Sequence, residues 1–190
     1  MKFEWHIEPS DIEAVKAIVS KHQDNPFVID RTMRNVDGVQ SKPDRNDVWY
    51  TLIMCLVTTQ QRSSSSDPVG RLLDEIPFPL SLEKCRETPN LGELVRSVLR
   101  NKGIYRQDQI VDSAVSNLQK LDDGGWEEIF AWIDKLEQQK ATQDSSNYLL
   151  ERDAARYMQS YKGLGPKQSR NFWQALGLTR YEFVLDSRMT

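Results

Sequence analysis

The chain has 190 residues, 28 acidic and 25 basic, for a net charge of −3, and is 38% hydrophobic and 28% charged, which fits one folded globular unit and excludes a disordered chain. Its longest apolar run, residues 50–57, is too short to span a bilayer, and the N-terminal MKFEWHIEPSD lacks the apolar stretch of a secretory signal. Two cysteines, Cys55 and Cys85, cannot supply a four-cysteine zinc or iron–sulfur centre, so an intracellular protein with reduced thiols and no bound metal is expected.

The signals in chain order are those of consecutive helices. Ser10-Asp11 opens the first, with Ile12, Val15, Ile18 and Val19 at helical spacing. Asp47 opens a strongly apolar one through Val57. After the serine patch 63–66, Asp67-Pro68 supplies an N-cap and first helical residue for a helix over about 68–76. Ser81 starts a short one. Thr88-Pro89 caps a helix over about 89–101, with Leu91, Leu94, Val95 and Val98 on one stripe and Gly103 as its stop. Helices over 106–121 and 126–138 follow, separated by Gly124-Gly125. Another opens at Asp144 or Ser145 and runs to about Tyr161, and the last covers 167–176, ended by Gly177. Nine helices on short loops predict an all-α orthogonal bundle, with most tryptophans in the core or a groove wall. It is expected to form a single unit, with an N-terminal helical part over 1–44 and a core over 45–190. The sequence carries no oligomerisation signal, and a monomer is expected.

Charge is unevenly spread. Arg96, Arg100, Lys102 and Arg106 stand together without an acid, and six bases face two acids from Arg156 onward. Such a chain can meet a polyanion through one face, although solvated helix faces explain the same pattern.

The stretch YKGLGPKQSRNF over 161–172 breaks two helical segments. Gly163 and Gly165 can take positive φ and approach another surface closely, while Leu164 plugs the turn into the core. Pro166 suits the first position of the next helix. The unsatisfied backbone N–H groups there favour an anion such as phosphate, though a plain corner between helices would look the same. Lys167 sits in the first turn, where a cation is disfavoured by the helix dipole; that setting favours the neutral, nucleophilic amine. Asp186, in VLDSR after an apolar run, could stabilise a cationic transition state or move the amine's proton, or simply cap a helix.

GLGPK followed by VLDSR resembles the helix-hairpin-helix DNA glycosylase superfamily, whose L-x-G-x-G-x-K hairpin precedes an essential aspartate by about eighteen to twenty residues. Tyr161 stands where the leading leucine would be. LIMCLVTTQQRSSS over 52–65 resembles the family helix ending in a Gln or Asn that fills the gap left by an extruded nucleotide; Gln60 takes that position, with Gln61 beside it. NKGIYRQDQI over 101–110 resembles the family's GxYRxKA turn, with Asp108 as a departure. The resemblance covers about 45–190.

It implies a bifunctional enzyme on double-stranded DNA, cleaving a glycosidic bond and then nicking the abasic site without a cofactor. Lys167 would attack C1′, Asp186 would assist, and Gly163, Leu164 and Gly165 would hold phosphate. Gln60 and Gln61 would fill the gap, and Tyr105, Arg106, Asn171, Trp173 and Gln174 are further candidates for DNA or base contact. The absence of iron–sulfur cysteines and of room for a β-rich N-terminal domain points to the small all-helical 8-oxoguanine glycosylase/lyase branch. Family members continue the helix that starts at Asp186, so the C-terminal helices are expected to be missing here. A non-catalytic helix-hairpin-helix DNA-binding protein is the alternative, and a helical scaffold without a nucleic-acid partner is the third reading.

Overall fold

A computed structural model describes residues 6–38, 41–142, 148–182 and 184, and among them there is helix and no strand. The helices are α1 (Pro9–His22), α2 (Pro26–Asn35), α3 (Arg45–Val57), α4 (Pro68–Leu73), α5 (Leu82–Glu87), α6 (Leu91–Lys102), α7 (Gln107–Lys120), α8 (Trp126–Thr142), α9 (Tyr148–Met158) and α10 (Pro166–Ala175). One of them, α2, has no counterpart in the sequence reading. Its Asn25-Pro26 start is a good cap, the Asn25 side chain accepting from the Phe27 amide at 2.9 Å. Beyond the cluster Phe27, Val28 and Ile29 only Met33 repeats at helical spacing, too short a pattern to announce a helix.

Capping chemistry decides the ends that sequence placed approximately. Asp44, not Asp47, caps α3: its carboxylate accepts from the Asn46 and Asp47 amides, and Asp47 returns a bond to the Asp44 amide at 2.9 Å. Asn90 caps α6 through the Glu93 amide, while Thr88 closes α5 by donating to the Lys84 carbonyl. Between α7 and α8 the chain kinks at Asp123-Gly124, where Gly124 takes φ +107°, so the two helices separate at the glycines as expected.

Helix α3 is the axis of the core. Val48, Trp49, Leu52, Ile53, Cys55, Leu56 and Val57 are all buried, so the helix is apolar on nearly every side and needs partners all round. It packs on α5, α7 and α10, and the buried Trp49 indole donates to the Leu80 carbonyl at 2.9 Å. Each large apolar side chain it removes from water contributes about 1.5–3 kcal/mol before the cost of ordering the chain. Its C-terminal end and the N-terminal end of α10 meet, and the candidate site lies there. Helix α1 is different: Ile12, Val15, Ile18 and Val19 form the expected stripe, yet all four are exposed among the described residues. No described helix is long and apolar enough to cross a membrane.

Candidate nucleic-acid interface

The turn between α9 and α10 uses its two glycines differently. Gly163 has φ +82°, and a Cβ there would stand 2.7 Å from Leu56 Cδ2 and 2.8 Å from Ser113 Oγ. Glycine is therefore required twice over, by backbone conformation and by the close approach to α3 and α7. Gly165 is in extended conformation at φ −79° as the N-cap of α10, with open space around it. Leu164 is only 4% exposed and anchors the turn in the core. Asn117 of α7 holds the turn from behind: its amide donates to the Lys162 carbonyl at 2.9 Å and accepts from the Lys162 amide at 2.8 Å. A primary amide can satisfy both halves of one residue's backbone in this way. Lys120 and Lys162 border a recess of 550 Å³ over the same turn, with Gly163 and Gly165 in its wall.

A second turn is built by the same device. Gln61 donates to the Tyr105 carbonyl at 3.3 Å and accepts from the Tyr105 amide at 2.9 Å. This fixes the chain leaving α3 against the chain entering α7. Arg106, at the N-cap of α7 with φ +59°, adds a bond from Nη1 to the Thr59 carbonyl at 3.1 Å. Gln61 and Arg106 thus spend their polar groups on local architecture. Their neighbours do not. Gln60 is exposed at φ +59°, and its side chain has no hydrogen-bond partner among the described residues. Tyr105 is 77% exposed, unusual for so large a ring. Gln60 and Arg106 are the two non-glycine residues with positive φ among those described, and both lie in this one place. Left-handed backbone at such residues costs about 1–2 kcal/mol, and strain of this kind concentrates at functional sites.

Between the end of α3 and the start of α10 runs a groove of 1340 Å³. Gln60, Lys167 and Asn171 border it together with Gly163 and Gly165, so residues far apart in sequence meet at one surface. Arg31, Arg62 and Lys167 supply cations to the groove, and Asp67 is its one acid among the described residues, giving a positive lining on an acidic chain. Lys167 is exposed in the first turn of α10, whose glycine N-cap offers no capping side chain.

Beneath the groove, Gln168 is buried and donates to Thr59 Oγ1 at 3.0 Å and Thr58 Oγ1 at 3.4 Å. Asn171 donates to Gln168 Oε1 at 3.2 Å and to Cys55 Sγ at 3.8 Å. Burial pushes the Cys55 thiol up to about 12, despite Arg31 and the Asn171 bond, which act the other way. Cys55 is therefore a packed thiol and not a nucleophile. Trp173 is fully buried and belongs to the core, away from the groove lining; it packs edge-to-face on Phe172 at 5.0 Å. Gln174 is not part of the groove lining, and its backbone carbonyl accepts from Asn35 of α2 at 3.0 Å. Asp186 lies outside the described residues.

The segment leading toward Asp186 is nevertheless fixed up to Glu182. The buried carboxylate of Glu151 accepts from three successive amides, Arg180 at 2.8 Å, Tyr181 at 2.8 Å and Glu182 at 2.7 Å. Glu182 in turn pairs with Arg170 of α10 at 2.6 Å. Sequence reasoning did not single out Glu151, Asn117 or Gln168, although a signal existed. Each is a polar residue inside an apolar helical stripe, as Glu151 is with Ala154, Ala155 and Met158.

Compared with models of known protein families, with curated proteins and with solved structures, the chain has no match.

Proposed function

We propose that the protein is a DNA glycosylase with lyase activity at the resulting abasic site, acting on an oxidised base, with 8-oxoguanine as the first candidate. The observation that carries this reading is the shared groove: Lys167 at the start of α10, the strained Gln60 at the end of α3 and the Gly163–Gly165 turn all border it. A duplex would lie across the positive face with its phosphates on the turn. The damaged nucleotide would swing out, which is cheapest for a poorly stacked base, and Gln60 would occupy the vacated space. Exposed Tyr105 beside it would wedge against the neighbouring bases.

The chemistry needs one amine and one proton carrier. The lone pair of Lys167 Nζ bonds to C1′ as the glycosidic C–N pair departs with the base, which takes up a proton. Loss of a proton from nitrogen and opening of the sugar ring give a Schiff base. Removal of a C2′ proton then expels the 3′ phosphate by β-elimination. Asp186 is assigned to stabilise the positive charge and carry the proton.

Borohydride trapping on an 8-oxoguanine duplex and on an abasic duplex tests the reading. A covalent adduct that disappears in Lys167→Gln supports it. Binding without an adduct on either duplex would replace it with a non-catalytic helix-hairpin-helix DNA-binding protein.

A further inference from the structure

Helix α2 forms one wall of the groove, and its residues Phe27 and Arg31 both line it. Arg31 is unusual. Its Nη1 is buried without a hydrogen-bond partner, and it makes no ion pair among the described residues. The adjacent Asp30 is committed instead to Arg34, at 2.8 Å. Burial, and then the charge of Arg34, pull the Arg31 pKa below its ordinary value. A guanidinium donor left unsatisfied in this way is costly, and a small movement of the side chain into the groove would bring it to an acceptor on a bound ligand. One turn earlier, the Arg31 guanidinium lies over the Phe27 ring, 5.1 Å from its centre, and this cation–π contact holds the arginine beside the groove.

Asn171 faces the same space from α10. Its Nδ2 is occupied by Gln168 and Cys55, which fixes the amide and leaves Oδ1 as an acceptor with no partner among the described residues. The two helices are tied together by Asn35, four residues beyond Arg31, which donates to the Gln174 carbonyl three residues beyond Asn171. The groove thus offers fixed donors on one wall and a fixed acceptor on the other.

Resting on the glycosylase reading, we propose that Arg31 and Asn171 read the edge of the extruded base and select a 6-oxopurine. Arg31 donates to O6 and Asn171 Oδ1 accepts from N1–H. A 6-aminopurine presents the reverse pattern, a donor at N6 and an acceptor at N1, and a guanidinium cannot accept from it. Pairing lost at a buried polar site discriminates strongly, because the site's own groups are then left unpaired.

The test compares excision of 8-oxoguanine and 8-oxoadenine with borohydride trapping on an abasic duplex, which has no base to read. Arg31→Leu fills the space without donors. It should lower the ratio of 8-oxoguanine excision to abasic trapping by roughly tenfold to a hundredfold and narrow the preference over 8-oxoadenine. A ratio unchanged from wild type overturns the proposal. Arg31→Lys keeps a cation but not the planar fork, and should show most of the same loss; full rescue by lysine reduces Arg31 to general charge and also overturns it. If thermal melting shows Arg31→Leu unfolded, Arg31→Lys carries the comparison. Absence of any wild-type adduct on the abasic duplex instead removes the glycosylase reading, and this inference with it.

Discussion

Gln168 Nε2 lies 3.0 Å from Thr59 Oγ1, and this bond joins the first turn of α10 to the last residues leaving α3. Lys167 and Gln60 are the immediate chain neighbours of that pair, so the bond sets the spacing of the proposed nucleophile and the proposed gap-filling residue. Thr59 also donates to the Cys55 carbonyl at 2.8 Å, so losing Gln168 does not orphan it. Gln168→Ala should cost about 1–3 kcal/mol in urea unfolding, from lost hydrogen bonds and packing. Adduct yield should fall further than this loss of folded protein explains. An unchanged yield in folded variant would mean that Lys167 is positioned by other contacts.

Gln60 holds a left-handed backbone that glycine would adopt without strain. Gln60→Gly should therefore gain up to about 1 kcal/mol of stability while weakening binding to a duplex with an extrudable base. Thermal melting and fluorescence anisotropy read the two effects separately. A destabilised variant would show that the side chain contributes to the fold, contrary to its lack of partners.

The two hairpin glycines should separate in mutagenesis. Gly163→Ala meets both a positive φ and atoms at 2.7 and 2.8 Å, and should cost about 2–4 kcal/mol. Gly165→Ala has open space and an extended backbone, and should cost no more than about 1 kcal/mol, the ordinary difference between these residues at an N-cap. If Gly165 borders a phosphate, duplex affinity should nevertheless fall in that variant. Chemical denaturation with a binding titration on each protein checks both statements.

Glu151 serves three amides with one carboxylate. Glu151→Ala leaves those donors without their acceptor and should cost about 2–4 kcal/mol, concentrated in the segment after α10. Hydrogen exchange should show the Arg180, Tyr181 and Glu182 amides losing protection before the rest of the chain. Uniform loss of protection would indicate that Glu151 supports the whole bundle rather than this segment.

The Cys55 thiol gives a pH dependence with a definite sign. Its pKa is raised from 9.0 to about 12 by burial, so the unfolded chain loses this proton first as pH rises. The neutral buried thiol is fully compatible with folding below about pH 9, and stability is then lost between about pH 9 and 12, by about 1.4 kcal/mol per pH unit. Cys55→Ala should lose less stability than the wild type between pH 8.5 and 10.5 in urea unfolding. Parallel pH profiles for the two proteins would show that Cys55 ionises alike in both states.

Much of this arrangement was legible in the residues themselves. Stripe periodicity and capping residues depend only on neighbours within a turn or two, so most helices, the tight turn at 163–165 and the exposed Lys167 after Pro166 follow from local physics. Helix α2 escaped because, apart from Met33, its apolar residues are contiguous and give almost no helical repeat. Local pattern could not assign roles to long-range polar groups either. Gln60 and Gln61 are adjacent and chemically identical, yet Gln61 is consumed by Tyr105 while Gln60 borders the groove with no hydrogen-bond partner among the described residues. Trp173 and Asn171 share a helix, yet Trp173 goes to the core and Asn171 to the groove wall. The sequence by itself determined most of the helical segments and the tight turn before α10. Only the tertiary structure decided which polar side chains hold the scaffold and which face the groove, because that depends on partners brought together from distant parts of the chain.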